Sequence, residues 1–117
     1  MAKLVEVQVI GTMKDSATRK AVRFFKERGV GIHLLDLAER ALKERELRNI
    51  AQGLDLGDLI DRESREFKRL SLGYLDFDPF EELLEHPLIM RMPVVRLGKR
   101  VAIGEDEAKW KDFLPAS

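Results

Sequence analysis

The spacing of apolar positions changes character along the chain. From Lys3 to Ile10 they come nearly back to back, as Leu4, Val5, Val7, Val9 and Ile10. Such a run predicts a strand buried on both faces. From about Ser16 to Arg28 the spacing turns helical, with Ala17, Ala21, Phe24, Phe25 and Arg28 forming one stripe. Asp15 suits the N-cap of that helix and Gly29 its stop. Val30–Leu37 then reads as a second strand, carried by Ile32, Leu34 and Leu35. Two strands joined through a helix predict a parallel pair with a right-handed crossover.

The middle of the chain is helical by pattern. Lys43–Leu54 places Leu47, Ile50, Ala51 and Leu54 at helical spacing. Leu56–Ile60 and Phe67–Leu75 are shorter helical candidates, interrupted by Gly53, Gly57 and Gly73. Pro79 opens another helix, since proline is tolerated in a first turn, and Pro87 stops it. Beyond it the pattern returns to β. Pro93–Ile103 reads as a hairpin turning at Gly98-Lys99. Glu105–Leu114 closes the chain as a helix, with Ala108, Trp110, Phe113 and Leu114 apolar.

Composition narrows the function classes. With 117 residues, 44% of them hydrophobic, a single domain with a real core is expected, without disulfides to hold it. Cysteine is absent altogether, which fits a reducing compartment. No secretory leader pattern and no membrane-length apolar run is visible, so a soluble cytoplasmic protein is expected. Lys and Arg number 21, as do Asp and Glu, so net charge argues for neither nucleic acid nor an acidic ligand. Amides are few (Gln8, Asn49 and Gln52), which with abundant charge resembles thermophile usage.

The element order β-α-β, helices, β-β-α, together with particular residues, resembles the arsenate reductase (ArsC)/Spx family of thioredoxin-like proteins. The strand-to-helix turn ends in Arg19-Lys20-Ala21, as does the Cys-x-x-Cys turn of the Spx branch. That alignment sets Asp15 at the first cysteine and Thr18 at the second. His86-Pro87 and Met92-Pro93-Val94-Val95 match the family's His-Pro and Arg-Pro-strand motif, with Met92 in the arginine's place and Arg91 one residue earlier. Ile103-Gly104, an acidic helix start and Phe113-Leu114-Pro115 match its end.

The resemblance implies an α/β thioredoxin-like fold: a mixed four-stranded sheet with flanking helices and an all-helical insert. As one domain over 1–117, its core would be 1–38 and 89–117 and its insert 39–88. It also implies a cis peptide before Pro93, facing the turn, and a surface there for extended peptides. The reductase parts are mostly missing. The nucleophilic cysteine is gone, Met92 replaces one oxyanion-binding arginine, and another would fall near Ile103. Arg62 is the nearest candidate for the arginine expected in the insert. The vestigial positions are therefore Asp15, Thr18, Arg19, Met92 and Pro93, with no catalytic residue among them.

Asp15 reads either as a functional carboxylate or, more simply, as a helix cap worth about 1 kcal/mol. Ser16 and Thr18 offer hydroxyls without a histidine nearby in sequence to activate them. His33 alternates with apolar neighbours on a strand, and His86 caps a helix end. Their separation has no metal-ligand spacing, so neither metal nor cofactor is expected. Arg91, Arg96, Lys99 and Arg100 could form a basic patch on the hairpin, but acidic runs balance them, so a solvated, salt-bridged surface is the default, and interleaved aromatics for nucleic acid are lacking. The expected function is a binding or regulatory module that kept the scaffold and lost thiol chemistry. By resemblance to Spx, its partner would be RNA polymerase, through the carboxy-terminal domain of the polymerase α-subunit. The alternative is a divergent reductase, arsenate-directed or glutathione-dependent, that borrows its thiol.

Overall fold

The computed structural model describes residues 6–52 and 54–114. The expected strand residues Lys3–Val5, the breaker Gly53 and the terminal Pro115 lie outside the described residues. The element order is β1 (Glu6–Gly11), α1 (Ser16–Glu27), β2 (Gly31–Asp36), α2 (Glu44–Ala51), α3 (Arg65–Arg69), α4 (Pro79–Glu85), β3 (Val94–Leu97), β4 (Arg100–Ile103) and α5 (Glu107–Asp112). Short 3-10 turns fall at Leu56–Leu59, Leu72–Tyr74 and Pro87–Ile89. The chain divides into two compact units. One is built from the chain up to Asp36 and from Met92 onward, the other from Leu37 to Arg91.

The first unit is a four-stranded mixed sheet in the order β2-β1-β3-β4. β1 and β2 run parallel through α1, in the register Val7↔Ile32 and Val9↔Leu34. β3 runs antiparallel to β1, with Val9↔Val95 and Ile10↔Val94, so the hairpin joins the first strand. Gly98 turns the hairpin at φ +61, a conformation glycine adopts without strain. Strand residues alternate between the two faces. Val7, Val9, Val95 and Ala102 therefore share one face, and they pack with Ala21, Phe24 and Phe25 of α1 and Trp110 of α5. The rings of Phe24, Phe25 and Trp110 lie 5.0–6.2 Å apart, centre to centre. Each such fully buried side chain stabilises the fold by about 1.5–3 kcal/mol.

The second unit carries α2, α3, α4, the 3-10 turns and one isolated β-bridge, Ile60↔Met90. Two of its helices, α3 and α4, start on side-chain caps. Ser64 accepts from the Phe67 N–H at 3.1 Å and Asp78 from the Phe80 N–H at 2.9 Å, with Pro79 in the first turn as expected. Arg40 meets Glu46 through two hydrogen bonds of 2.9 Å, and the Lys43 N–H donates to the same carboxylate at 2.8 Å.

Boundaries depart from the sequence reading in specific places. Phe67–Leu75 is not one helix. α3 ends at Arg69, and Ser71 takes a left-handed φ of 56, which separates it from the turn at Leu72–Tyr74. The closing helix starts at Glu107, because Asp106 caps it by accepting the Lys109 N–H at 3.1 Å. Arg28 and Ala108, read as parts of apolar stripes, are exposed.

Candidate functional site

The turn between β1 and α1 is built by short-range chemistry. The Asp15 N–H donates to the Thr12 carbonyl at 2.9 Å, closing a four-residue turn. The Lys14 N–H donates to the Thr12 hydroxyl at 3.3 Å. Asp15 stands at the N-cap of α1 in an extended conformation, and its Oδ2 accepts the Thr18 N–H at 2.8 Å. The same oxygen accepts the Thr18 hydroxyl at 2.9 Å. Thr18 is fully buried. Its hydroxyl is thus satisfied inside the protein, as a buried polar group requires.

Gly11 explains how Thr18 gets so close to the strand. A Cβ at Gly11 would fall 2.4 Å from the Thr18 hydroxyl oxygen. Glycine is therefore required by the close approach of helix and strand, whatever its backbone angles. Sequence reasoning passed over Gly11 and Thr12, and took Thr18 as the place of a missing cysteine and as a hydroxyl without an activating histidine. A glycine ending an apolar strand, just before a capped helix, was the available signal.

Arg19 is drawn into the turn as well. Its Nη1 donates to the Met13 carbonyl at 2.8 Å, so this guanidinium braces the loop from outside. Lys20 pairs with Glu105 at 3.0 Å, tying α1 to the segment before α5. The Glu105 carboxylate, by hydrogen bond and charge, holds the Lys20 ammonium above its ordinary range. An exposed pair of this kind contributes little to stability.

Met92-Pro93 is a cis peptide, and the Pro93 carbonyl accepts the Gly104 N–H at 2.8 Å. The register Ile10↔Val94 places Pro93 beside the end of β1 from which the turn springs. Asp15, Thr18 and Arg19 are therefore in direct mutual contact through the turn, and Met92-Pro93 sits at the same end of the sheet. Ile103 ends β4 and carries no charge. Arg62 belongs to the second unit, where its guanidinium lies over Phe67 at 5.4 Å and Phe77 at 5.8 Å. His33 is exposed on β2, and His86 ends α4 at 3.8 Å from Glu82.

The basic residues of the hairpin do not gather on one face. Pairing sets Leu97 opposite Arg100 and Arg96 opposite Val101, so alternation sends Arg96 and Arg100 to opposite faces. Arg100 lies over Phe113 at 5.2 Å and donates to the Asp112 carbonyl, while Arg91 belongs to the other unit.

Chemically, the turn is an anion-favouring helix start whose anion is supplied by the chain itself. Free N–H groups and the helix dipole at such a position favour a thiolate or a carboxylate alike. A carboxylate cannot perform thiol–disulfide exchange. No helix of the described residues is long and apolar enough to cross a membrane.

Comparison with known proteins agrees with this geometry. The ArsC family model matches residues 11–113. Global transcriptional regulator Spx 2 of Oceanobacillus iheyensis is 33% identical over 108 residues, covering 86% of this chain and 78% of that protein. The Spx 2 of Bacillus cereus is 28% identical over 111 residues, covering 91% and 85%. Among solved structures, an arsenate reductase from Vibrio cholerae superposes with a TM-score of 0.82 at 19% identity, over 96% of this chain and 100% of that one. A putative ArsC family related protein from Bacteroides fragilis gives a TM-score of 0.82 at 14% identity, over 96% and 100%. The chain is a cysteine-less, thioredoxin-like member of the ArsC family.

Proposed function

We propose that this protein is a non-catalytic binding module of the ArsC/Spx type, acting in transcription by docking on RNA polymerase, at the carboxy-terminal domain of the polymerase α-subunit. The observation that carries the reading is the Asp15 cap. Its carboxylate fills the anion position at the start of α1 and is engaged by Thr18, in a chain without cysteine. The turn is preserved as structure while the group that would attack an oxyanion or exchange a disulfide is absent. Relatives named as global transcriptional regulators support the direction. Pro93, at the same end of the sheet, is the surface we assign to contact with an extended segment of the partner. The work would take place in the cytoplasm, where the polymerase is.

The test is binding of the full chain to the immobilised polymerase domain, with and without a thiol oxidant. Binding that is equal in both conditions is the expected result, since no residue of the chain can form a disulfide. Absence of binding in both would sink the partner. A parallel assay with arsenate and glutathione should show no turnover above blank. Turnover that disappears in Asp15→Ala would instead establish a reductase working with a borrowed thiol.

A further inference from the structure

The sheet face turned away from Phe25 and Trp110 carries a row of polar side chains at the opposite end of β1 from the Asp15 turn. Pairing sets His33, Gln8 and Arg96 side by side on three neighbouring strands. Together with Glu6, Val7 and Gly98 they line a concavity of about 280 Å³. Gln8 orients the row. Its Oε1 accepts from Arg96 Nη1 at 3.2 Å, which turns the amide NH₂ the other way. A guanidinium, a carboxamide NH₂ and an imidazole then follow one another across about 10 Å, two strand spacings.

Arg96 is held at a cost. It is half-buried, its Nε is sealed from solvent, and that N–H finds no acceptor among the described residues. No carboxylate among the described residues lies within ion-pair distance of it. A partly desolvated cation with no carboxylate among the described residues at ion-pair distance is unfavourable, and an oxyanion at its guanidinium would offset this through charge-assisted hydrogen bonds. His33 is exposed and its ring makes no hydrogen bond to the described residues, so the imidazole can serve the same ligand.

We propose that this row is a binding site for a small oxyanion, a phosphate or a carboxylate, held by Arg96, Gln8 and His33. Glu6 shares the face, opposite Gly31, and its charge opposes the ligand. The affinity is accordingly modest, roughly millimolar. The site is independent of the polymerase reading and of the Asp15 turn.

The experiment follows the Arg96 Nε–H and His33 ring signals by NMR in the full chain. Inorganic phosphate and succinate are titrated separately, each against chloride at equal ionic strength. Saturable shifts of both signals are expected, and the tighter of the two ligands names the class. His33→Ala should weaken binding severalfold, Arg96→Gln should abolish it, and Glu6→Gln should tighten it. Shifts that never saturate for either anion would overturn the site. So would unchanged binding in His33→Ala, which removes an exposed side chain and tests the site even if Arg96→Gln fails to fold. Weaker binding in Glu6→Gln would also overturn it, because a ligand that needs the carboxylate is not a simple anion.

Discussion

Asp15 uses one oxygen to hold both the N–H and the hydroxyl of Thr18. Alanine at this position therefore removes more than a helix cap. It strands a buried hydroxyl, adding about 1–3 kcal/mol to the roughly 1 kcal/mol of the lost cap. Asp15→Ala should destabilise by about 2 kcal/mol or more in chemical denaturation, while Asp15→Asn, which keeps an acceptor, should cost much less. A stability-neutral Asp15→Ala that abolishes partner binding would show that the carboxylate contacts the partner. Gly11 and Thr18 form a second testable pair, since a Cβ at Gly11 would collide with the Thr18 hydroxyl at 2.4 Å. Gly11→Ala should destabilise by about 1–3 kcal/mol, the usual cost of overpacking. The same change in a Thr18→Ala background should cost clearly less, and additive penalties in that double-mutant cycle would refute the collision. The cap was readable from sequence because Asp is a common N-cap. The burial of Thr18 was not, because it depends on a contact with a strand that only the folded chain creates.

At the scale of elements, α2 illustrates how charge fixes a helix start. The Arg40 guanidinium, first by hydrogen bonding and then by charge, holds the Glu46 carboxyl down at about 2, helped by the Lys43 N–H and opposed by partial burial. A folded-state value below the unfolded one means that the contribution is present at neutral pH. It is lost as pH falls from the ordinary glutamate range, about 4.3, toward that lowered value. Unfolding midpoints measured from pH 5 down to pH 2 should therefore decline, and Arg40→Met should flatten part of that decline. An identical acid limb in the variant would exclude the pair as its source. The strands and α1 were legible because their apolar periods are long and clean. Phe67–Leu75 was misjudged because Ser71 adopts φ 56, a left-handed break that the residue's chemistry does not announce. The start of α5 slipped for a related reason, since Glu105, Asp106 and Glu107 all read as an acidic first turn and only the bond from Lys109 selects Asp106 as the cap.

For the molecule as a whole, the order of elements carried the fold. A βαβ unit followed by helices and a ββα ending has few mixed-sheet solutions once crossovers are right-handed. The site was legible in a narrower sense. Asp15, Thr18 and Arg19 were singled out through the Arg19-Lys20-Ala21 match to the family turn and Pro93 through the Met92-Pro93-Val94-Val95 match, while the register of β3 on β1, which sets Pro93 beside the turn, needed the fold. The polar row on the other sheet end was invisible because Gln8, His33 and Arg96 are far apart in sequence and ordinary as residue types. Only the pairing of β1 with both neighbours sets them in line.

The helix start that Asp15 occupies has kept its preference for negative charge, even though its occupant cannot react. Thr18 still offers its N–H and its hydroxyl there, and Gly11 still makes room for them. Asp15→Cys should yield a thiol that ionises below the usual value of about 8.5, because the same donors favour the thiolate. Its alkylation by iodoacetamide at neutral pH should outpace that of a cysteine introduced at exposed Lys26. Equal rates would mean that the turn has lost its electrostatic bias along with its sulfur. Faster alkylation would mean that the scaffold stores a latent nucleophile position, open to recovery without any rebuilding of the fold.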